Sequence, residues 1–181
     1  VGPIKMEDLY HFMPIGAQIA KGNIKGQALK NQIEAAAQGS LNPTVSAWTG
    51  GWLFNFSGVT MDFDPYAANG ARASNIKVNG APLVVSGDYS YASYWYKNDP
   101  CLINVIAIPG CTAVGGVPSN ITILKEANGD PLDGAEVVAR YIEMQVGQTV
   151  DPVLNRINLL GVMPPYRFGF PEMQPLFGAQ P

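Results

Sequence analysis

Residues 52–64 read WLFNFSGVTMDFD, residues 65–70 read PYAANG, and residues 73–82 read ASNIKVNGAP. The first run is rich in rings and alternates apolar with polar side chains, the period of a β-strand with one buried face. Pro65 and Asn69-Gly70 interrupt it as a turn. Ala73–Val78 resumes as a strand. Asn79-Gly80 is a strong hairpin signal, because both residues accept the positive φ of a type I′ turn. Strand, turn and hairpin in so short a span point to antiparallel sheet.

The aromatic run at 89–99, YSYASYWYKND, supplies a further strand over Tyr89–Tyr96. Alternation puts Tyr89, Tyr91, Ser93 and Trp95 on one face and Ser90, Ala92, Tyr94 and Tyr96 on the other. Both faces carry rings, so two readings stand: rings packed between sheet and helices, or Trp95 and Tyr96 turned to a ligand. On the N-terminal side, Met6–Phe12 suits a short helix with Glu7 and Asp8 near its positive end. Pro14 breaks it, and Gln18–Ile24 reads as a strand. Gly26–Ala37 has Leu29, Ile33 and Ala36 at helical spacing and Lys30 four residues before Glu34, an amphipathic helix ending at Gly39.

On the C-terminal side, Asp99–Gly134 reads as loop with short apolar runs, and Ala135–Val146 as a second amphipathic helix. The last thirty or so residues, with their repeated prolines, read as an extended tail that wraps another surface. The expected organisation is one α+β domain over residues 1–150 with a mixed or antiparallel sheet, and a Pro-rich tail over 151–181.

Composition narrows the function classes. The 181 residues are 47% hydrophobic and only 14% charged, below the roughly 25% usual in soluble domains. That profile suits an exported or partner-covered domain. The net charge is −3, and Lys and Arg are scattered, so the clustered positive charge that nucleic-acid binding needs is missing. No apolar stretch reaches the ~18 residues of a membrane span. The first residues, VGPIKMEDLY, show neither an initiator Met nor a signal peptide and read as a cut or mature end, or as the start of a portion of a longer chain. Cys101 and Cys111 would close a small loop worth about 2–3 kcal/mol as a disulfide, which implies an oxidising compartment; two buried thiols are the alternative. Two cysteines and one histidine make a transition-metal site improbable.

Several residues admit a plain reading beside a chemical one. His11 has no second His or Cys nearby and reads as packed or on the surface. Asp62 and Asp64 are spaced like a carboxylate pair, but Pro65 makes a strand end and turn the better reading. Arg72 and Arg140 read as ion-pair or capping residues before anion binders. Asn55-Phe56-Ser57 and Asn120-Ile121-Thr122 match the glycosylation pattern, which is common by chance. Gly115-Gly116 is too isolated for a phosphate cradle.

Four blocks, taken in order, resemble the C-terminal domain of the 5′-nucleotidase family. KMEDLYHFMPIGAQIAKGNIKGQALKNQIE (5–34) is similar to its short helix, Pro-Phe-Gly turn, strand, Thr-Gly-type turn and helix. GGWLFNFSGVTMDFDPYAANGARASNIKVNGAPL (50–83) resembles its glycine-led strand, aromatic-Asp strand end, turn with Arg, and Asn-Gly hairpin. DYSYASYWY (88–96) stands at its Tyr-opened strand, and LDGAEVVARYIE (132–143) resembles its last helix. Together they cover about residues 4–146. Gly50-Gly51 and VVARYIE are most similar to the bacterial thiosulfohydrolase branch.

The resemblance implies a secreted metallohydrolase, periplasmic or extracellular, in which this chain supplies substrate recognition. A separate N-terminal metallophosphoesterase domain or partner chain would hold two divalent metal ions and hydrolyse a nucleotide or sulfur ester. No cofactor is expected in this chain, which has one His and no Asp-x-His or Gly-Asn-His pattern. The family's opening Asn-Gly-Gly strand and substrate-binding Arg would precede Val1, so the chain is expected to be a fragment or one half of a cleaved enzyme, inactive alone. The resemblance puts Ile15, Trp95, Tyr96 and Asp99 at the substrate. In nucleotidases two rings sandwich the base. Here Ile15 replaces the first ring, Tyr96 beside Trp95 stands for the second, and Lys97-Asn98-Asp99-Pro100 replaces a Gly-Gly-Asp-Gly loop. These departures put ordinary base stacking in doubt. They leave a second expectation: a degenerate nucleotidase-like domain serving as a structural or assembly module of an extracellular complex.

Overall fold

The computed structural model describes residues 2–13, 18–42, 45–47, 56–95 and 119–161. Among them the chain forms α1 (Met6–Phe12), β1 (Gln18–Lys25), α2 (Gly26–Leu41), a 3₁₀ turn (Val45–Ala47), β2 (Val59–Phe63), β3 (Ala73–Val78), β4 (Ala81–Pro82), β5 (Asp88–Trp95), β6 (Ser119–Ile123), α3 (Gly134–Glu143), a second 3₁₀ turn (Val146–Gln148) and β7 (Ile157–Leu159). Helices combine with one antiparallel and one mixed sheet, the expected α+β class. The elements fall into two compact units: α1, β1, β5, β6 and α3 form one, and α2, β2, β3, β4 and β7 the other.

The first unit is built on a three-stranded sheet in the order β5-β1-β6, with β1 antiparallel to both neighbours. Along β1 the odd and even positions part cleanly: Ala20, Gly22 and Ile24 are buried, while Lys21, Asn23 and Lys25 are exposed. Period-two patterning thus fixes which face is core. β5 pairs with β1 over eight rungs, from Gln18 opposite Trp95 to Lys25 opposite Asp88, where Lys25 Nζ meets the Asp88 carboxylate at 2.6 Å. β6 lies inside the stretch that reads as loop in the sequence. Its register to β1 shifts across a bulge, with Asn120 at φ 52. The bulge spoils the alternation by which SNITI would otherwise be recognised as a strand.

Both helices of this unit start on carboxylates. The Asp8 carboxylate accepts the Lys5 backbone N–H at 2.7 Å. Asp133 is the N-cap of α3, accepting from the N–H groups of Ala135 (2.8 Å) and Glu136 (3.4 Å). Such groups satisfy donors that the first helical turn leaves open. α1 packs on α3.

In the second unit the sheet order is β4-β3-β2-β7. Val59, Met61 and Phe63 of β2 are buried, and Phe63 is among the most fully enclosed side chains. β3 answers with Ala73 and Ile76, three residues apart. Both reach the core because a bulge, with Asn75 at φ 47, inserts one residue between them. Asn79 (φ 49) and Gly80 (φ 82) make the expected two-residue hairpin, with Val78 opposite Ala81. β7 joins β2 in parallel, held by Met61 N–H to the Arg156 carbonyl (2.9 Å) and Leu160 N–H to the Phe63 carbonyl (2.8 Å). Residues 157–159 of the Pro-rich stretch therefore belong to a sheet; residues 162–181 lie outside the described residues.

α2 buries Leu29, Ile33 and Ala37, a stripe at i, i+4 and i+8. It runs past Gly39 to Leu41, although Gly39 reads as a stop. Gly39 is buried in the last turns, and tertiary burial outweighs the roughly 1 kcal/mol that glycine costs a helix. Gly26, at the helix start, is required sterically. Its N–H donates to the Gly87 carbonyl at 2.9 Å, and a Cβ there would stand 2.2 Å from the Val84 carbonyl oxygen. Gly26→Ala is expected to destabilise by about 2–3 kcal/mol, the cost of forcing backbone apart in a packed site. It would be read as a lower urea midpoint with unchanged slope; an unchanged midpoint would contradict this packing.

Candidate functional site

β1 and β5 bring two distant parts of the sequence together. Gln18, the first residue of β1, stands opposite Trp95, the last of β5. The segment before β1 and the segment after β5 therefore join the sheet at the same end. Those are the segments that carry Ile15 on one side and Tyr96 and Asp99 on the other. Ile15, Tyr96, Asp99, Cys101 and Cys111 lie outside the described residues, and Trp95 is described by its backbone alone. Of the aromatic run, Tyr89 and Tyr91 are half-buried on the face that holds Ala20, Gly22 and Ile24, while Ser90 and Ala92 are exposed on the other. For these two tyrosines the packed reading fits.

The other residues weighed in the sequence find places. His11 is exposed in the last turn of α1. Asp62 and Asp64 do not act as a pair. The Asp62 carboxylate accepts the side-chain amides of Asn158 (2.8 Å) and Asn75 (3.3 Å), tying β7 and β3 to β2. The Asp64 carboxylate accepts the Tyr66 N–H at 2.9 Å and shapes the turn after β2. Arg140 pairs with Glu126 and lies 3.8 Å from Glu136. The hydrogen bond to Glu126 raises its pKa above the ordinary arginine value. Among the described residues no three His, Cys, Asp or Glu side chains are grouped to hold a metal ion.

A cleft of about 590 Å³ lies among Glu126, Asn128, Asp130, Asp133, Glu136 and Arg140 in the first unit. Its acids are already engaged. Glu126 and Glu136 face Arg140, Asp130 accepts from Asn128 at 2.8 Å, and Asp133 caps α3. Desolvation by neighbouring groups, followed by the charges of Asp133 and Glu136, raises the pKa of the exposed Tyr10 on α1. The lining is mostly charged, unlike the apolar walls typical of small-molecule pockets.

One residue has a role that sequence reasoning missed. Glu34, four residues after Lys30 in the amphipathic helix, is only 5% exposed. Its carboxylate accepts the backbone N–H groups of Ala73 (2.7 Å) and Arg72 (3.2 Å), bonding α2 to the start of β3. Arg72 is itself buried, and its Nη1 donates to the Gln38 side-chain carbonyl at 2.8 Å. Helical spacing alone cannot distinguish such an inward carboxylate from a solvated one. Glu34 and Arg72 are thus structural residues.

The 5′-nucleotidase C-terminal domain family matches residues 1–99. The chain belongs to that family. Solved structures agree in fold. The 5′-nucleotidase precursor from Thermus thermophilus superposes with a TM-score of 0.64 at 18% identity, covering 90% of this chain and 29% of its own. The Thermus thermophilus sulfate thiohydrolase SoxB in complex with glycerol gives 0.57 at 21% identity, covering 88% and 26%. The Haemophilus influenzae NAD nucleotidase gives 0.57 at 16% identity, covering 87% and 27%. This 5′-nucleotidase C-terminal domain therefore spans less than a third of the length of each of these chains. None of the curated proteins matches it.

Within this family member, Glu34→Ala would leave two buried N–H groups without their acceptor. We expect a loss of about 2–4 kcal/mol in unfolding free energy, at about 1–3 kcal/mol per unsatisfied group with partial relaxation. Chemical denaturation checks it, and a loss below about 0.5 kcal/mol would place the carboxylate outside the fold's supports.

Proposed function

We propose that this chain is the substrate-recognition domain of a secreted 5′-nucleotidase-like or thiosulfohydrolase-like metallohydrolase. Hydrolysis belongs to an N-terminal metallophosphoesterase domain or partner chain with two divalent metal ions, which would supply an activated water to the bound ester. Of the Pro-rich stretch 151–181, residues 157–159 belong to the domain as β7, and the part that follows acts as the tail that wraps another surface. The compartment is periplasmic or extracellular, where Cys101 and Cys111 form a disulfide next to the recognition loop.

The observation that carries this reading is the pairing of Gln18 with Trp95 in a 5′-nucleotidase C-terminal fold. The Pro14-Ile15-Gly16 segment comes just before that rung in the sequence and the Tyr96–Asp99 segment just after it, which supports a shared wall. Ile15, Trp95, Tyr96 and Asp99 then form the wall that a substrate meets. With Ile15 in place of a ring, at most one face of a base is stacked from these positions, and an aliphatic contact replaces the other. A compact sulfur ester loses less by that exchange than a nucleobase does. The second reading, a degenerate domain kept as an assembly module, draws on the same two departures: Ile15 and the Lys97-Asn98-Asp99-Pro100 loop.

The test is turnover by the complete polypeptide with a divalent cation, using AMP and an S-alkyl thiosulfate as substrates. Release of phosphate or sulfate is expected, and Tyr96→Ala is expected to raise KM about 5- to 150-fold, as removal of a stacking ring does. Turnover with an unchanged KM would remove Tyr96 from recognition. Absence of turnover with both substrates would favour the assembly reading.

A further inference from the structure

Three asparagines of the chain are followed by glycine: Asn69-Gly70, Asn79-Gly80 and Asn128-Gly129. In such a pair no Cβ on the second residue shields its backbone nitrogen, which can then approach the asparagine carboxamide. All six residues are exposed, yet the fold holds the three pairs differently. Asn128 is tied at both ends of the would-be reaction. Its side-chain amide donates to the Asp130 carboxylate at 2.8 Å, and its side-chain carbonyl accepts the Asp130 N–H at 3.0 Å. The Gly129 N–H donates to the Glu126 carbonyl at 2.9 Å. Asn79 is fixed by the hairpin. Its N–H donates to the Gly58 carbonyl at 2.7 Å, and its side-chain carbonyl lies against Gly58, where an added Cβ would stand 2.7 Å away. The pairs Val78–Ala81 and Lys77–Pro82 flank it, so turning Asn79 toward the Gly80 nitrogen disturbs the β3–β4 pairing.

Asn69 differs on each count. Among the described residues neither its carboxamide nor the Gly70 N–H has a hydrogen-bond partner. Its turn is closed by the Ala71 N–H to the Ala68 carbonyl at 2.9 Å, with Gly70 at φ 86 and open space around it. We propose that Asn69 is a site of spontaneous deamidation, and that the fold spares Asn79 and Asn128. The Gly70 nitrogen gives up its proton and bonds to Cγ of Asn69; the Cγ–Nδ2 bond breaks and ammonia leaves. Water then opens the cyclic imide at one of its two carbonyls. Opening at Cγ gives aspartate, and opening at the backbone carbonyl gives isoaspartate, whose main chain runs through Cβ and Cγ. Water is the only other reactant. Either product adds a negative charge to the turn between β2 and β3. Isoaspartate also lengthens that turn by a methylene, just ahead of Arg72 and Ala73, whose N–H groups Glu34 accepts.

Trypsin places the three pairs in separate peptides, residues 31–72, 78–97 and 126–140. The experiment incubates the complete polypeptide at mildly alkaline pH, folded in one sample and unfolded in urea in another. Tandem mass spectrometry follows conversion of amide to acid at each asparagine, and protein isoaspartyl methyltransferase with labelled S-adenosylmethionine marks isoaspartate. In the folded protein Asn69 is expected to convert at least about tenfold faster than Asn79 and Asn128, the delay imposed by two or more hydrogen bonds that must break first. In urea the three rates are expected to converge. A folded-state rate at Asn79 or Asn128 matching that at Asn69, no conversion at Asn69, or a lead of Asn69 that persists in urea would overturn the proposal.

Discussion

The eight rungs between β1 and β5 are the constraint on which the rest of the candidate site depends. They join strands that are distant in sequence, and their register is not adjustable. A slip of one residue would turn Ala20, Gly22 and Ile24 to solvent and bring Lys21, Asn23 and Lys25 into the core. The burial cost of three lysine or asparagine side chains far exceeds any local preference of the strand. Because that register is held, Gln18 and Trp95 share one end of the sheet. The proposed recognition wall thus follows from alternation along one eight-residue strand.

The second unit is organised by polar groups inside an apolar frame. Glu34 bonds the start of β3 from α2, and Asp62 bonds β3 and β7 from β2. Each carboxylate accepts two donors; for the buried Glu34 this makes a poorly solvated carboxylate tolerable, whereas the half-buried Asp62 makes its bonds near the surface. They are the reason a sheet with a two-residue strand at one edge and a three-residue strand at the other keeps its order. Acidic residues that look available for acid–base work in the sequence are in this way consumed by the fold.

Much of the architecture is legible in the sequence because its signals are local. Met6–Phe12 and Ala73–Val78 have the bounds that patterning gives them, and Asn79-Gly80 turns as such a pair must. What escapes has non-local causes. SNITI becomes β6 by pairing with β1 across a bulge, and Ile157–Leu159 becomes β7 only because β2 lies open to a parallel partner. The i,i+4 spacing of Lys30 and Glu34 gives no sign that Glu34 turns inward, because a solvated face shows the same spacing. For the site, resemblance supplies the residues Ile15, Trp95, Tyr96 and Asp99, while the register that joins their segments is visible only once β1 and β5 are paired.

The most direct measurement of the central claim is hydrogen exchange on the complete polypeptide, with and without saturating AMP or S-alkyl thiosulfate. The account requires that ligand slow exchange jointly in peptides spanning residues 13–20 and 94–100, on the two sides of the Gln18–Trp95 rung. Slowed exchange in only one of these peptides, or in residues 126–140 around the acidic cleft instead, would contradict it.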